Sequence, residues 1–547
     1  MIKTATIRHL VIFCEMKKIL TTLFIGIANF TLAQSTATIQ IRSNSGNFST
    51  QQAKLITLLP STPVASAAEL DVNKYGSSNQ ISEIATGYFY TKKIGNRWWF
   101  IDPEGKGHIN IAMNSLYTFE DDTEAATGYD RLRELGFNGA GNFVSDDEQT
   151  SRYNNTRTNK FSYTLRINFF LTYKNVRKNY YTTPSAIQGD LGHVFVLDPK
   201  FAEFCDSHAR NLEKYKNEKE LLGYFIDNEI NFNQDQLYNF LKNLSPGDPS
   251  YDAALAFATA NELTKEQVLA NQAPDSVLKA FATKLAEYYY QVTSAALKKY
   301  DPNHLNLGSR LHGRPRAIEG VVKAAAYYCD VVSVNFYDHY WPDNQITRSD
   351  TYQKWIDKPL IVGEFYVKGE DAFNAGWVSS LNSGAGWVVK TQNERGIWYQ
   401  NCVIELLKSG RFVGWHWFKY KDDTDSNKGI IKNDANGKVE YLDLTSQMSF
   451  ANNNRFKLIN YFDGPTSAAT FAENKITIKQ SDKSVIVDGL VGVSTFRIYD
   501  NLGRLITTSN CFESYYSIPL NEIQKGLYIF KIMLNSGCNE SVFKIII

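Results

Sequence analysis

Six cysteines, five methionines and eight histidines are few for a chain of 547 residues, and none falls in a metal-binding pattern. No Cys-x-x-Cys pair and no histidine-rich tract occurs, so neither a disulfide scaffold nor a structural zinc is expected. Cys205, Cys329 and Cys402 sit in apolar surroundings and read as buried thiols. Cys511 and Cys538, near the C-terminus, could pair in an oxidising compartment. Charge of one sign is also lacking. Lys+Arg 58 against Asp+Glu 57 leaves a net charge of +1, with no pull toward nucleic acid or an anionic membrane. No apolar run reaches the roughly 18 residues of a membrane span. No glycine-rich phosphate loop follows the first strand-like run, and nothing asks for a metal or a cofactor.

Aromatic residues are abundant, with 33 Phe, 32 Tyr and 9 Trp. Most belong to a large core by default, and a few could line a site for a ligand with flat apolar faces, as sugars have. The N-terminus reads as an export signal over 1–34. Met16-Lys17-Lys18 gives a positive start, Ile19 to Phe30 an apolar run, and Thr31-Leu32-Ala33 a small-residue cleavage pattern, with Met16 as an alternative start. Residues 35–85 have weak periodicity and read as a leader segment.

From Gly87 a hairpin is predicted, turning at Gly95-Asn96 and closing on Asp102-Pro103-Glu104-Gly105. Short apolar runs then alternate with helical stretches. The runs are His108–Met113, Phe137–Asn142, Leu165–Leu171, Leu221–Ile226, Leu305–Ser309, Val331–Phe336, Leu360–Gly363 and Phe412–Trp417. Continuous apolar strands separated by amphipathic helices imply a parallel sheet covered by helices, and eight is the number that closes a (β/α)8 TIM barrel. The barrel is placed at 86–465, with its largest insertion at about 231–273, after the fourth strand. An open doubly wound sheet is the alternative fold. Beyond Gly464-Pro465 short alternating strands predict a small C-terminal antiparallel β-sandwich over 470–547.

The active site of such a barrel lies at the C-terminal ends of its strands. The fourth run ends Asp227-Asn228-Glu229 and the seventh ends Gly363-Glu364. Two Glu at one mouth are the pair that glycoside hydrolysis requires, one protonating the leaving oxygen and one attacking the anomeric carbon. A negative Glu364 is expected to raise the pKa of Glu229 and so keep the acid protonated. Arg310 and His312, after the fifth run, share parity and could both face the cleft. Asn114 and Asn142, after the first and second runs, are further amide candidates. Period two puts Trp415 and Trp417 on one face of the eighth strand and His416 on the other.

Asn228-Glu229 and Glu364 at these positions resemble the large clan of retaining glycoside hydrolases on (β/α)8 barrels. The resemblance implies Glu229 as acid/base, Glu364 as nucleophile, Asn228 on the substrate 2-hydroxyl and Tyr337 orienting the nucleophile. It also implies a strand-eight tryptophan, best matched by Trp417, beneath the cleaved sugar. The wording Trp98-Trp99-Phe100-Ile101-Asp102-Pro103-Glu104-Gly105, Gly223-Tyr224-Phe225-Ile226-Asp227-Asn228-Glu229 and Gly363-Glu364-Phe365 is similar to the agarases of glycoside hydrolase family 50. A β-agarase cleaving agar-like galactan is therefore expected. Hydrolysis of another β-glycan and a non-catalytic carbohydrate-binding protein are the alternatives. In the tail, Phe496 to Arg504 and Lys525 to Ile532 resemble the sorting domain of type IX secretion cargo. That implies the secretion machinery as a partner and a secreted or surface location.

Overall fold

The computed structural model describes residues 36–59, 71–116, 119, 121–143, 148–182, 184, 187, 192–337, 350–433 and 439–464, together with the strands between 477 and 546. The expected signal segment lies outside the described residues. The chain divides into two compact units, the first ending at Gly464 and the second spanning Pro465–Ile547.

The first unit is built on eight parallel strands: β1 (Asn110–Met113), β2 (Gly139–Ala140), β3 (Ser162–Ile167), β4 (Leu221–Ile226), β5 (Leu305–Asn306), β6 (Val332–Asn335), β7 (Leu360–Phe365) and β8 (Phe412–Trp417). They run in the order β5-β4-β3-β2-β1-β8-β7-β6. The two edges meet where Leu311, just past β5, bridges Val334 of β6 in parallel sense. The Leu311 N–H donates to the Ser333 carbonyl at 2.9 Å, and the Asn335 N–H donates to the Leu311 carbonyl at 3.0 Å. The sheet thus curls on itself in the manner of a TIM-like barrel.

Two apolar layers hold it. An inner group, including Leu222, Phe225, Leu305, Ile361 and Val413, fills the lumen, and Tyr75, Phe89 and Phe100 from the segment before β1 join it. An outer group packs the other faces of the strands on the helices. Predicted helices appear at Asp122–Glu134, Pro199–Ala209, Asp275–Tyr300, Glu319–Tyr328 and Gln392–Lys408. The insertion after β4 is helical, at Asp235–Asn243, Pro249–Ala260 and Lys265–Leu269.

The hairpin pairs Tyr90–Ile94 with Arg97–Ile101 around Gly95, whose φ of +59° suits glycine. The stretch expected as a leader is instead part of the unit. Ala37–Arg42 pairs with Ser49–Ala53 on one side and with Trp387–Val389 on the other, and Val367–Gly369 completes that sheet. Weak periodicity hid these strands because Ser49-Thr50-Gln51-Gln52 is polar and three of the four face water.

The second unit has antiparallel sheets of three and four strands, Thr477–Gln480, Ser484–Asp488 and Tyr515–Pro519 in one, and Ser494–Asp500, Leu505–Cys511, Leu527–Leu534 and Glu540–Ile546 in the other. The expected pairing of Cys511 with Cys538 lies outside the described side chains. Cys205, Cys329 and Cys402 are buried free thiols. Among the described residues no helix is long and apolar enough to cross a membrane, and no group of His, Cys, Asp and Glu could hold a metal ion.

Candidate active site

Among the described residues seven non-glycine positions have positive φ, and five of them follow barrel strands: Ser115 (60°), Phe143 (62°), Asp227 (58°), Glu229 (55°) and Arg310 (55°). Left-handed backbone costs a side-chain-bearing residue on the order of 1 kcal/mol or more, and such strain gathers where side chains must be aimed. The C-terminal mouth of the barrel is that place.

The turn after β4 shows how the aiming works. Asp227 is wholly buried and accepts hydrogen bonds from the Phe170 N–H (2.8 Å), the Leu171 N–H (2.9 Å) and the Tyr289 hydroxyl (2.8 Å). The helix Phe169–Val176 has no side-chain cap of its own, so this carboxylate satisfies its orphan N–H groups from a neighbouring loop. Burial still pushes the Asp227 pKa up to about 6. Two residues on, the Glu229 N–H donates to the Ser309 carbonyl at 3.0 Å. The Glu229 carboxylate accepts from Asn335 Nδ2 at 2.7 Å, with His312 Nδ1 3.7 Å away. Burial lowers the pKa of His312, against the upward pull of Glu229.

Glu364 occupies the end of β7. Its side chain is 8% exposed, against 30% for Glu229. Arg310 Nη2 lies 2.5 Å from Glu364 Oε1, and the Tyr337 hydroxyl donates to Oε2. Burial raises the Glu364 pKa and the Glu229 charge adds to it, while Arg310, Tyr337 and His312 act in the opposite direction. Glu364 is thus held above the usual carboxylate range. Burial, which the sequence does not display, is the largest cause. Gly363 is required here, because a Cβ would lie 2.7 Å from Asn335 Oδ1 and 2.8 Å from Arg310 Nε.

The other expected site residues divide. Arg310, His312 and Tyr337 meet around the two carboxylates, with the His312 and Tyr337 rings 5.7 Å apart. Asn228 follows β4 directly, and its buried Oδ1 has no partner among the described residues. Asn114 is committed inside the protein, donating to the Gly363 carbonyl at 2.9 Å and accepting from the Asn142 N–H at 2.7 Å. Asn142 is buried, with Oδ1 accepting from the Phe143 N–H at 2.9 Å and Nδ2 unpartnered among the described residues.

Trp415 and Trp417 point the other way from the expected one. Both are fully buried, Trp415 donating to the Tyr399 hydroxyl (2.9 Å) and Trp417 to the Lys428 carbonyl (3.0 Å). Their rings belong to the outer layer, where Trp417 meets Phe365, Trp398 and Tyr399. The cause is an irregularity in β8. Leu360 pairs with Phe412 but Ile361 pairs with Gly414, so Val413 is an extra residue and faces the lumen. One extra residue reverses the parity of all that follow. His416 therefore faces inward, hydrogen-bonded to Asn110 Oδ1 at 2.6 Å, its pKa lowered to about 3 by burial. The aromatic ring that reaches the mouth is Phe418, half-buried and 5.8 Å from Phe143 and 6.2 Å from Tyr366. Phe418, Phe143, Asn335, Asp227 and Arg166 escaped the sequence reading. Asn335 alone carried a usable signal, as a polar residue inside the sixth apolar run.

Chemically, one half-exposed carboxyl and one gripped, buried carboxyl share a mouth free of metal-binding groups among the described residues. Comparison with known proteins gives the family. The crystal structure of BpGH50 superposes with a TM-score of 0.70 at 30% identity, covering 78% of this chain and 96% of that one. The chain belongs to glycoside hydrolase family 50. A structure described as an exo-beta-agarase shares the fold, with a TM-score of 0.57 at 20% identity over 72% of this chain and 68% of its own. Beta-agarase B of Vibrio sp. (strain JT0107) is 25% identical over 448 residues, which are 63% of this chain and 45% of that protein. The chain spans less than half the length of the curated family 50 relatives it matches. Residues 472–547 match the secretion system C-terminal sorting domain.

Proposed function

We propose that this chain is a secreted, retaining glycoside hydrolase of the β-agarase type, cleaving β-galactosidic linkages of an agar-like galactan. Glu364 serves as the nucleophile and Glu229 as the acid/base. The observation that carries the assignment is the unequal setting of the two carboxyls. Arg310 and Tyr337 hold both oxygens of Glu364 at the end of β7, while Glu229 keeps an exposed edge for a leaving oxygen and for water.

In the first step Glu364 attacks the anomeric carbon as Glu229 gives its proton to the departing glycosidic oxygen. A glycosyl ester forms and the sugar–oxygen bond breaks. In the second step Glu229 takes a proton from water, the water oxygen attacks the anomeric carbon, and Glu364 is released as carboxylate. Asn335 orients Glu229, and Asn228 is available to the sugar 2-hydroxyl. The N-terminal 34 residues act as an export signal, the barrel over 86–465 carries the chemistry, and the tail over 470–547 forms a sandwich read by the secretion machinery.

The test compares wild type with Glu364→Gln on agarose, carrageenan, mannan and simple β-galactosides. Loss of turnover by roughly 10⁴-fold or more in the variant is expected for a missing nucleophile. Full activity of the variant would sink the mechanism. An inverted anomer in the first product, seen by NMR, would remove retention.

A further inference from the structure

One cation at the mouth, Arg166, has no carboxylate paired with it among the described residues. Arg166 lies on β3 with the parity of Ser162 and Thr164, whose hydroxyls bond across the lumen side, Ser162 receiving from Asn110 and Thr164 donating to the Ala140 carbonyl. Its guanidinium carbon sits 4.4 Å from the centre of the Phe143 ring. On that ring Arg310 also packs, at 5.2 Å. Arg310 is the residue that holds Glu364. Among the described residues no carboxylate pairs with Arg166 and nothing accepts a hydrogen bond from it, although it is half-buried. A half-buried guanidinium without a partner forfeits the strongest hydrogen bonds available to a side chain. Phe143, meanwhile, is held at a φ of 62°, in strained backbone, so its ring is fixed as a support.

The geometry points to Arg166 as a substrate-binding residue, its planar N–H fork laid on Phe143 and offered to a pair of neighbouring oxygens on the galactan chain beside the bond attacked by Glu364. The inference rests on the galactan reading given above and adds to it a binding contact from β3. Three features support a sugar rather than a structural partner. The fork is supported by a ring and bonded to no described residue, the half-buried Phe418 ring stands edge-on to Phe143, and the buried Asn228 Oδ1 at the same mouth has no donor among the described residues. Burial and then the Arg310 charge lower the Arg166 pKa, against the pull of Asp227 and Glu364, which places it in the same electrostatic neighbourhood as Glu364.

The experiment is a calorimetric titration of agaro-oligosaccharides into full-length Glu364→Gln protein, with and without Arg166→Ala or Arg166→Lys. Loss of a charged fork from a sugar should weaken Kd by about 10- to 100-fold. Arg166→Lys keeps the charge but not the fork, and is expected to recover little of that loss. A parallel measurement in the active background should show a rise in KM larger than any fall in kcat, with an unchanged Tm. A Kd within threefold of the parent for Arg166→Ala would overturn the inference while leaving the galactan reading intact. Failure of the Glu364→Gln parent to bind any agaro- or galacto-oligosaccharide would overturn the galactan reading and this inference together.

Discussion

Arg310 Nη2 stands 2.5 Å from Glu364 Oε1, and the same nitrogen donates to the Gly363 carbonyl at 2.8 Å. Arg310 is itself fully buried and held at a φ of 55°. A guanidinium fixed from both its own backbone and the β7 backbone has little freedom to follow solvent. It acts as a standing charge against which Glu364 titrates.

Removing that charge has a signed consequence. Glu364 already holds its proton above the usual carboxylate range because burial outweighs Arg310. Arg310→Gln raises it further. Since the ionised form is the nucleophile, activity is lost as pH falls through a higher value than in wild type. The acid limb of kcat/KM should move to higher pH, and kcat/KM at pH 6 should fall by about 100-fold. A pH–rate profile reads this, and an unmoved acid limb would deny Arg310 the role.

The two aromatic positions at the end of β8 should separate stability from activity. Trp417→Ala opens a cavity in the outer layer and should cost roughly 3–5 kcal/mol of stability. Phe418→Ala should leave denaturant midpoints nearly unchanged and raise KM for galactan about tenfold through lost apolar contact. Chemical denaturation and steady-state kinetics on both variants make the comparison. The reverse pattern would restore Trp417 to the sugar.

Asp227 gives a pH-dependent stability. Its folded pKa of about 6 lies above the value of 3.8 for a free side chain. Between those values the native state binds more protons than the unfolded one, so the stability due to this group is full below the lower value and declines as pH rises toward 6. Asp227→Asn removes the decline. The Tm difference between wild type and variant, measured from pH 4 to 7, should shift against wild type as pH rises, and a constant difference would contradict the argument.

Much of the barrel could be read from the chain because each strand is a short apolar run and each helix has a face. The runs Leu221–Ile226 and Phe412–Trp417 match β4 and β8 residue for residue. The third run was placed at Leu165–Leu171, yet β3 ends at Ile167 and Phe169 begins a helix. An apolar run such as Ile167 to Leu171 looks the same in a strand or in a buried helix. The positions of Glu229 and Glu364 were legible because Glu364 directly follows an apolar run and Glu229 stands three residues past another. Trp417 was misplaced by one inserted residue, Val413, whose effect on parity no periodicity reveals. Phe143 and Arg166 were invisible for another reason. Their relation is a ring–guanidinium contact between neighbouring strands, set by a positive φ that no residue type announces.

The strand Ala37–Arg42 pairs with Trp387–Val389, with Ile41 opposite Val389. From the adjoining turn, Asn44 accepts a hydrogen bond from Lys368 at 2.6 Å and donates one to the Gly384 carbonyl at 2.9 Å. The loop that leaves β7 is thus tied down by residues from the opposite end of the unit. Contacts so distant along the chain form late in folding, after the loop-closure entropy of everything between them has been met. The loop after β7 is consequently complete only when the strand Ala37–Arg42 and its turn have joined it. A chain cut short past Asn44 would keep both carboxylates and lose part of the frame around β7.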